Sequence, residues 1–250
     1  MPYFTHDGHQ LYYIQQGNGA LLLILPGNTA SSAHHAAELA FFGQHFRAVA
    51  LDFWGTGCSE RLAVWPDTWF EQAARDTAGL IQYLGQRRSH LLGVSGGAVV
   101  ALLAAILFPV VIQSVIADSV ADCWYPDEIE RAVQGRDVRD PQAVSWWKQA
   151  HGKDWEQVVR ADSHLLQRLA RQGSDWSGGR LHQIRCPVLF TASLGDDLVA
   201  EIGPRTLRMA EQVAGSQVFF LQEGGHPLVW SRPEVFRRVA LDFLIHVEEV

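Results

Sequence analysis

Along the chain, short apolar runs alternate with longer segments of mixed character. The runs are Ala20 to Leu25, Phe46 to Leu51, His90 to Val94, Val111 to Ala117, Pro187 to Ala192 and Gln217 to Leu221. Each has the length of a strand, and an unbroken apolar run is what a strand shows when both faces of its sheet are covered. Most intervals between them are long enough for a helix, the crossover that successive parallel strands require. Ahead of these runs, "PYFT" and "QLYYI" flank Asp7-Gly8, a dipeptide suited to a tight turn, so an antiparallel hairpin is predicted at the start. The pattern as a whole predicts an α/β protein built on a mostly parallel sheet with helices on both faces.

The alternation breaks once. From Val120 to Ile184 no buried strand is evident, only helix-like segments such as "EIERAVQ", "QAVSWWKQAHG" and "WEQVVRADSHLLQRLARQG". Trp124, Trp146, Trp147, Trp155 and Trp176 all fall there. A helical insertion emerging at the carboxyl edge of the sheet would cover the crevice in which open α/β sheets bind ligands. The expected organisation is therefore a core domain of residues 1–119 and 185–250 carrying a helical cap at residues 120–184. The longest apolar stretch, Gly96 to Ile112, contains Pro109 and is short for a membrane span; it predicts a buried helix.

Composition narrows the classes. With 48% hydrophobic residues in 250, the chain can bury a large core. Its net charge of -7, with acidic and basic residues interspersed, provides no footprint for nucleic acid or for anionic membranes, so a small-molecule partner is expected, bound by a monomer or homodimer. The start "MPYFTHDGHQLYYIQQG" lacks the basic and apolar regions of a secretory signal. Cys58, Cys123 and Cys186 are widely spaced with no CxxC or Cys/His pairing, which argues against a disulfide framework and a zinc site and favours the cytoplasm.

Chemistry enters at "HLLGVSGGAVVALLAAILFP", where Ser95 follows a strand-like run and precedes a helix-like one. A serine on a strand-to-helix turn has a strained backbone, and small residues two positions to either side let strand and helix approach; Gly93 and Gly97 occupy those positions. Serine needs a base to become a nucleophile at neutral pH. Of the eleven histidines, His226 has the best setting, in a glycine loop after a final strand in "VFFLQEGGHPLVW", whereas His34, His35, His151, His164 and His246 read as ordinary surface or packing residues. The acid that orients the base should follow a strand end between serine and histidine in the sequence. Asp196 in "CPVLFTASLGDDLV" suits that role, with Asp197 directed to solvent; Asp118 is a competitor and Asp122 a weaker one. Two backbone amides suffice for an oxyanion hole, and Gly96 together with Asn28 in "PGNTASS" would provide them. Aromatic residues near the sheet-edge loops and in the cap, namely Phe53, Trp54, Trp124, Trp146, Trp147 and Trp230, are candidates to line an apolar substrate pocket.

Taken in order, "LPGNTAS", "LDFWGTGCSE", "LGVSGGA", "LGDDLV" and "GGHPLVWSRPEVF" resemble the α/β-hydrolase superfamily over nearly the whole chain, most closely its small capped serine hydrolases of the valacyclovir-hydrolase-like and bacterial ester or lactone hydrolase kinds. The resemblance implies an eight-stranded, mostly parallel sheet, a cap after the sixth strand, a triad of Ser95, Asp196 and His226, and an oxyanion hole from Asn28 and Gly96. Two departures stand out. Pro26-Gly27 replaces the His-Gly that many members have, and Gly96 follows the serine where a larger residue is common, which leaves room in the pocket or lowers rigidity. The expected activity is hydrolysis of a carboxylic ester or lactone through an acyl-enzyme, without cofactor or metal. C–C bond hydrolysis, perhydrolysis or lyase chemistry on the same triad is an alternative, and a receptor-like ligand-binding protein a further one.

Overall fold

The structure is a computed structural model that describes residues 2–173 and 175–249. Asp7 and Gly8 both take positive φ, 47° and 85°, and across them β1 (Tyr3–His6) pairs antiparallel with β2 (His9–Gln16). The six apolar runs then form β3 (Leu21–Leu25), β4 (Arg47–Leu51), β5 (Ser89–Val94), β6 (Ile112–Asp118), β7 (Val188–Ser193) and β8 (Gln217–Leu221). All eight strands join one sheet in the order β1-β2-β4-β3-β5-β6-β7-β8, antiparallel only at its hairpin edge.

Continuous apolar sequence becomes two cores because side chains alternate across a strand. In β3, Leu21, Leu23 and Leu25 join the cluster under α2 (Trp69–Tyr83) and α3 (Gly96–Leu107), while Leu22 and Ile24 join the cluster under α1 (Ala36–Phe42) and α9 (Pro233–Glu249). The α3 segment is apolar all round and lies buried between the sheet and its neighbouring helices. Between β7 and α9 the chain forms α7 (Ile202–Ala210) before β8 and the short α8 (Leu228–Ser231) after it.

Strand order fixes where a ligand can sit. From β3 the chain steps to β4 on one side and then to β5 on the other, so the connections after β3 and β5 diverge and leave a crevice at their carboxyl ends. Leu25 is in register with Gly93, which brings the loop after β3 beside the turn after β5.

Between β6 and β7 lie α4 (Pro126–Asp137), α5 (Pro141–His151) and α6 (Trp155–Arg171). Asp140 caps α5, its Oδ1 accepting from the amides of Gln142 (2.8 Å) and Ala143 (3.2 Å) ahead of which Pro141 presets the helical φ. The apolar stripe of α6, Val158, Leu165, Leu166 and Leu169, packs into the main core, and Trp147 stacks on Trp155 with ring centroids 5.4 Å apart. Among the described residues, no helix is long and apolar enough to cross a membrane.

Candidate active site

Ser95 sits at the β5–α3 junction with φ 52° and ψ -116°, a conformation disfavoured for any residue with a Cβ. Its amide donates to the Asp118 carbonyl at 2.8 Å, which ties the turn to the neighbouring strand. The flanking glycines are required by contact: a Cβ on Gly93 would lie 2.4 Å from the Gly97 carbonyl oxygen, and one on Gly97 would lie 2.1 Å from that of Leu25.

The loop after β8 carries His226 to this serine, and the loop after β7 carries Asp196 to the histidine. Ser95 Oγ lies 2.9 Å from His226 Nε2, and His226 Nδ1 lies 2.8 Å from Asp196 Oδ2. A carboxylate only accepts, so Nδ1 carries the ring proton and Nε2 faces the serine hydroxyl as an acceptor. The Asp196 side chain is fully buried, and its Oδ1 accepts from the amides of Leu198 (2.9 Å) and Val199 (2.8 Å), so the carboxylate is held from both ends.

The other acids are engaged elsewhere. Asp197 is exposed, with Oδ1 accepting from the backbone amide of His226 at 3.0 Å. Asp122 pairs with Arg205 at 2.7 Å and Arg208 at 3.0 Å. Asp118 is buried at the end of β6, accepting from Thr191 Oγ1 (2.7 Å) and the Val229 amide (3.0 Å), and burial pushes its carboxyl up to about 6. Together with Ser119 Oγ, which accepts from the Leu228 amide at 2.9 Å, it anchors the segment that follows His226.

Ser95 and His226 open into a cavity of about 380 Å³. Asn28 and Gly96 border it, and among the described residues neither amide has a hydrogen-bond acceptor in the protein. Gly96 is also the first residue of α3, where the helix end favours negative charge. The absence of a side chain at Gly96 does not enlarge the pocket. A Cβ there would lie 2.0 Å from Asn28 Oδ1, so the carboxamide of Asn28 already fills that space.

Of the aromatic candidates, Trp124, Trp147 and Trp230 line the cavity. The others correct the sequence expectation. Trp54 turns away and stacks on His9 with centroids 4.1 Å apart, Phe53 packs in the core against Trp69, and Trp146 stacks on His34 at 3.5 Å behind Trp230. Burial in that stack pushes His34 down to about 4.

Three residues bordering the site had no sequence signal. His151 is buried at the end of α5, its Nδ1 accepting from the Gly57 amide (3.0 Å) and its Nε2 donating to the Thr29 carbonyl (3.0 Å); burial pushes it down to about 4 and keeps it neutral. Asp162 on α6 accepts from Asn28 Nδ2 at 2.6 Å, and Arg136 on α4 donates to Asp162 Oδ2 at 2.7 Å. Away from the cavity, His6, Asp7 and Asp76 bring ligand-type atoms within 4.8 Å of one another. Buried Asp76 there takes hydrogen bonds from His6 (2.8 Å), His9 (3.2 Å) and Gln72 (3.1 Å), a network that ties the hairpin to α2.

A crevice at the switch point of a sheet in this order, entered by a strained serine after the fifth strand, defines an α/β hydrolase. The sequence matches the alpha/beta hydrolase family over residues 22–239, and the chain belongs to that family. Serine hydrolase BPHL of Mus musculus is 29% identical over 257 aligned positions, covering 95% of this chain and 84% of the relative. Among solved structures, the enol-lactonase from Burkholderia xenovorans LB400 superposes with a TM-score of 0.76 at 20% identity, over 98% of this chain and 100% of its own. A carboxylesterase of Nitrososphaera gargenis superposes with a TM-score of 0.81 at 14% identity, over 99% of both chains. The protein is thus a hydrolase related to BPHL, with a fold shared by esterases and lactonases.

Proposed function

We propose that the protein is a serine hydrolase that cleaves a carboxylic ester or lactone of a small, largely apolar substrate through an acyl-enzyme on Ser95. The observation that carries this reading is the continuous Ser95–His226–Asp196 hydrogen-bonded chain, at 2.9 and 2.8 Å, opening into a cavity bordered by two amides that have no acceptor among the described residues.

In the proposed cycle Ser95 Oγ attacks the carbonyl carbon as its proton passes to His226 Nε2. Negative charge moves onto the carbonyl oxygen, stabilised by the amides of Asn28 and Gly96. The C–O bond then breaks, and the leaving alcohol takes the proton from His226. Water attacks the acyl-enzyme, giving its proton to His226; the acid departs as Ser95 recovers its hydroxyl proton. Asp196 holds the imidazole in one tautomer and stabilises its charged form. The scheme draws on neither cofactor nor metal.

The cavity volume of about 380 Å³ suits a small molecule, and Trp124, Trp147, Trp230, Val120 and Leu166 favour an apolar acyl or alcohol group. Residues 120–184 act as the cap, and the three free cysteines suit a reducing cytoplasm. The test is turnover on an ester chain-length series alongside lactones, with Ser95→Ala as control. Hydrolysis of short esters or lactones that disappears in the variant supports the reading. Activity on neither class, or activity that survives Ser95→Ala, overturns it.

A further inference from the structure

We propose that Asp162, His151 and Trp147 of the helical insertion are positioning residues that hold the Asn28–Thr29 loop so that the Asn28 amide meets the developing oxyanion. The proposal rests on the serine-hydrolase reading above.

The loop does not hold itself. Thr29 has φ 59°, a left-handed conformation that is strained for a β-branched residue and persists only where surrounding contacts impose it. Within the loop, one backbone bond closes the turn, from the Ala30 amide to the Gly27 carbonyl at 3.1 Å. Three further bonds come from the insertion, more than 100 residues away in sequence: Asn28 Nδ2 to Asp162 Oδ1 at 2.6 Å, His151 Nε2 to the Thr29 carbonyl at 3.0 Å, and Trp147 Nε1 to Thr29 Oγ1 at 3.3 Å. They fix the side chain of residue 28 and the carbonyl and hydroxyl of residue 29, leaving the Asn28 amide little freedom to turn. The Asn28 carboxamide also packs over Gly96, so the residues carrying both proposed donors are held against each other.

The charges fit this role. A buried carboxylate so near the reacting carbonyl would oppose negative charge there, but Arg136 Nη1 donates to Asp162 Oδ2 at 2.7 Å and to Ser163 Oγ at 2.8 Å, so the anchor is an ion pair rather than a bare anion. His151 is fixed as the neutral Nε2–H tautomer by the Gly57 amide, which donates to its Nδ1. The insertion therefore does more than roof the pocket: its seating on the core sets the geometry of the oxyanion site.

The experiment is a double-substitution cycle on a saturable ester, with thermal unfolding run on each variant. Losing an oxyanion donor outright lowers kcat by about 10²–10³, so a donor left untethered in Asp162→Ala should lower kcat by about ten- to a hundredfold with KM little changed. Asp162→Asn, which keeps an acceptor for Asn28, should recover most of the loss. In an Asn28→Ala background the Asp162→Ala effect should shrink to less than about threefold, because the contact it acts through is gone. If Asp162→Ala does not fold, the same cycle with Trp147→Phe and Thr29→Val decides the matter, with a several-fold loss of kcat that vanishes in the Thr29→Val background. Equal losses in both backgrounds, or kcat unchanged in Asp162→Ala, overturn the proposal and leave the serine-hydrolase reading standing. Absence of any Ser95-dependent turnover in the unmodified protein overturns both.

Discussion

Replacing Asp118 by asparagine should make the protein more stable at neutral pH, by an amount that depends on pH in a defined way. Asp118 is fully buried at the end of β6, and burial pushes its carboxyl from the ordinary 3.8 up to about 6, outweighing the donors from Thr191 and Val229. The folded state therefore binds this proton more tightly than the unfolded chain does. Well below pH 3.8 the group is protonated in both states and exacts no penalty. As pH rises through 3.8 toward 6 the unfolded chain ionises first, and by pH 7 the fold carries a buried charge. At 1.36 kcal/mol per pKa unit, the difference between 3.8 and about 6 is a loss of about 3 kcal/mol. Asparagine keeps both contacts, its carbonyl accepting from the Val229 amide and its NH₂ donating to the Thr191 hydroxyl, but does not titrate. Urea unfolding of both proteins from pH 4 to pH 8 isolates the effect, because every other carboxylate cancels in the difference. The stability of Asp118→Asn relative to the unmodified protein should climb by about 2.4 kcal/mol between pH 4 and 7 and then level, roughly 5–10 °C in Tm; the rest of the difference accrues below pH 4. A difference that stays flat, or falls as pH rises, would refute the reasoning.

Other predictions concern the site itself. Ser95→Ala or His226→Ala should lower kcat on the order of 10⁶-fold in steady-state ester hydrolysis, because nucleophile and base act as a unit. Asp196→Asn should lose several orders of magnitude, while Asp118→Asn stays within about tenfold of the unmodified enzyme; the reverse ranking would transfer the orienting role to Asp118. Gly97→Ala places a Cβ 2.1 Å from the Leu25 carbonyl oxygen and 2.5 Å from that of Pro26. Since neither backbone oxygen can move without shifting β3, a destabilisation of at least about 1–3 kcal/mol is expected in denaturant unfolding.

The sheet was legible because its parallel strands are covered on both faces, and that condition writes an unbroken apolar run into the chain: all five residues of β3 are buried. The Ser95 turn was legible for a similar reason, since close packing of strand against helix leaves only glycine at 93 and 97. Asp196 and Asp118 were harder to separate, as both end strands between Ser95 and His226. Their difference lies in where the loop after β7 carries Asp196, a property of three dimensions. The tryptophans show the same limit: Trp54 and Trp230 both follow strand ends, yet one turns onto His9 and the other into the cavity. His151 and Asp162 left no local trace because their partners Thr29 and Asn28 lie 122 and 134 residues away. Of the two readings of Gly96, extra room in the pocket or lower rigidity, the first fails because the Asn28 side chain occupies that space, which the sequence does not show.

The most direct test of the central claim, that the strained turn at residue 95 presents an activated hydroxyl, is stoichiometric labelling by a fluorophosphonate read by intact mass and peptide mapping. The account predicts one adduct per chain, located on Ser95, absent in Ser95→Ala and strongly slowed in His226→Ala. A folded protein that takes up no label, or takes it up at another residue, would contradict it.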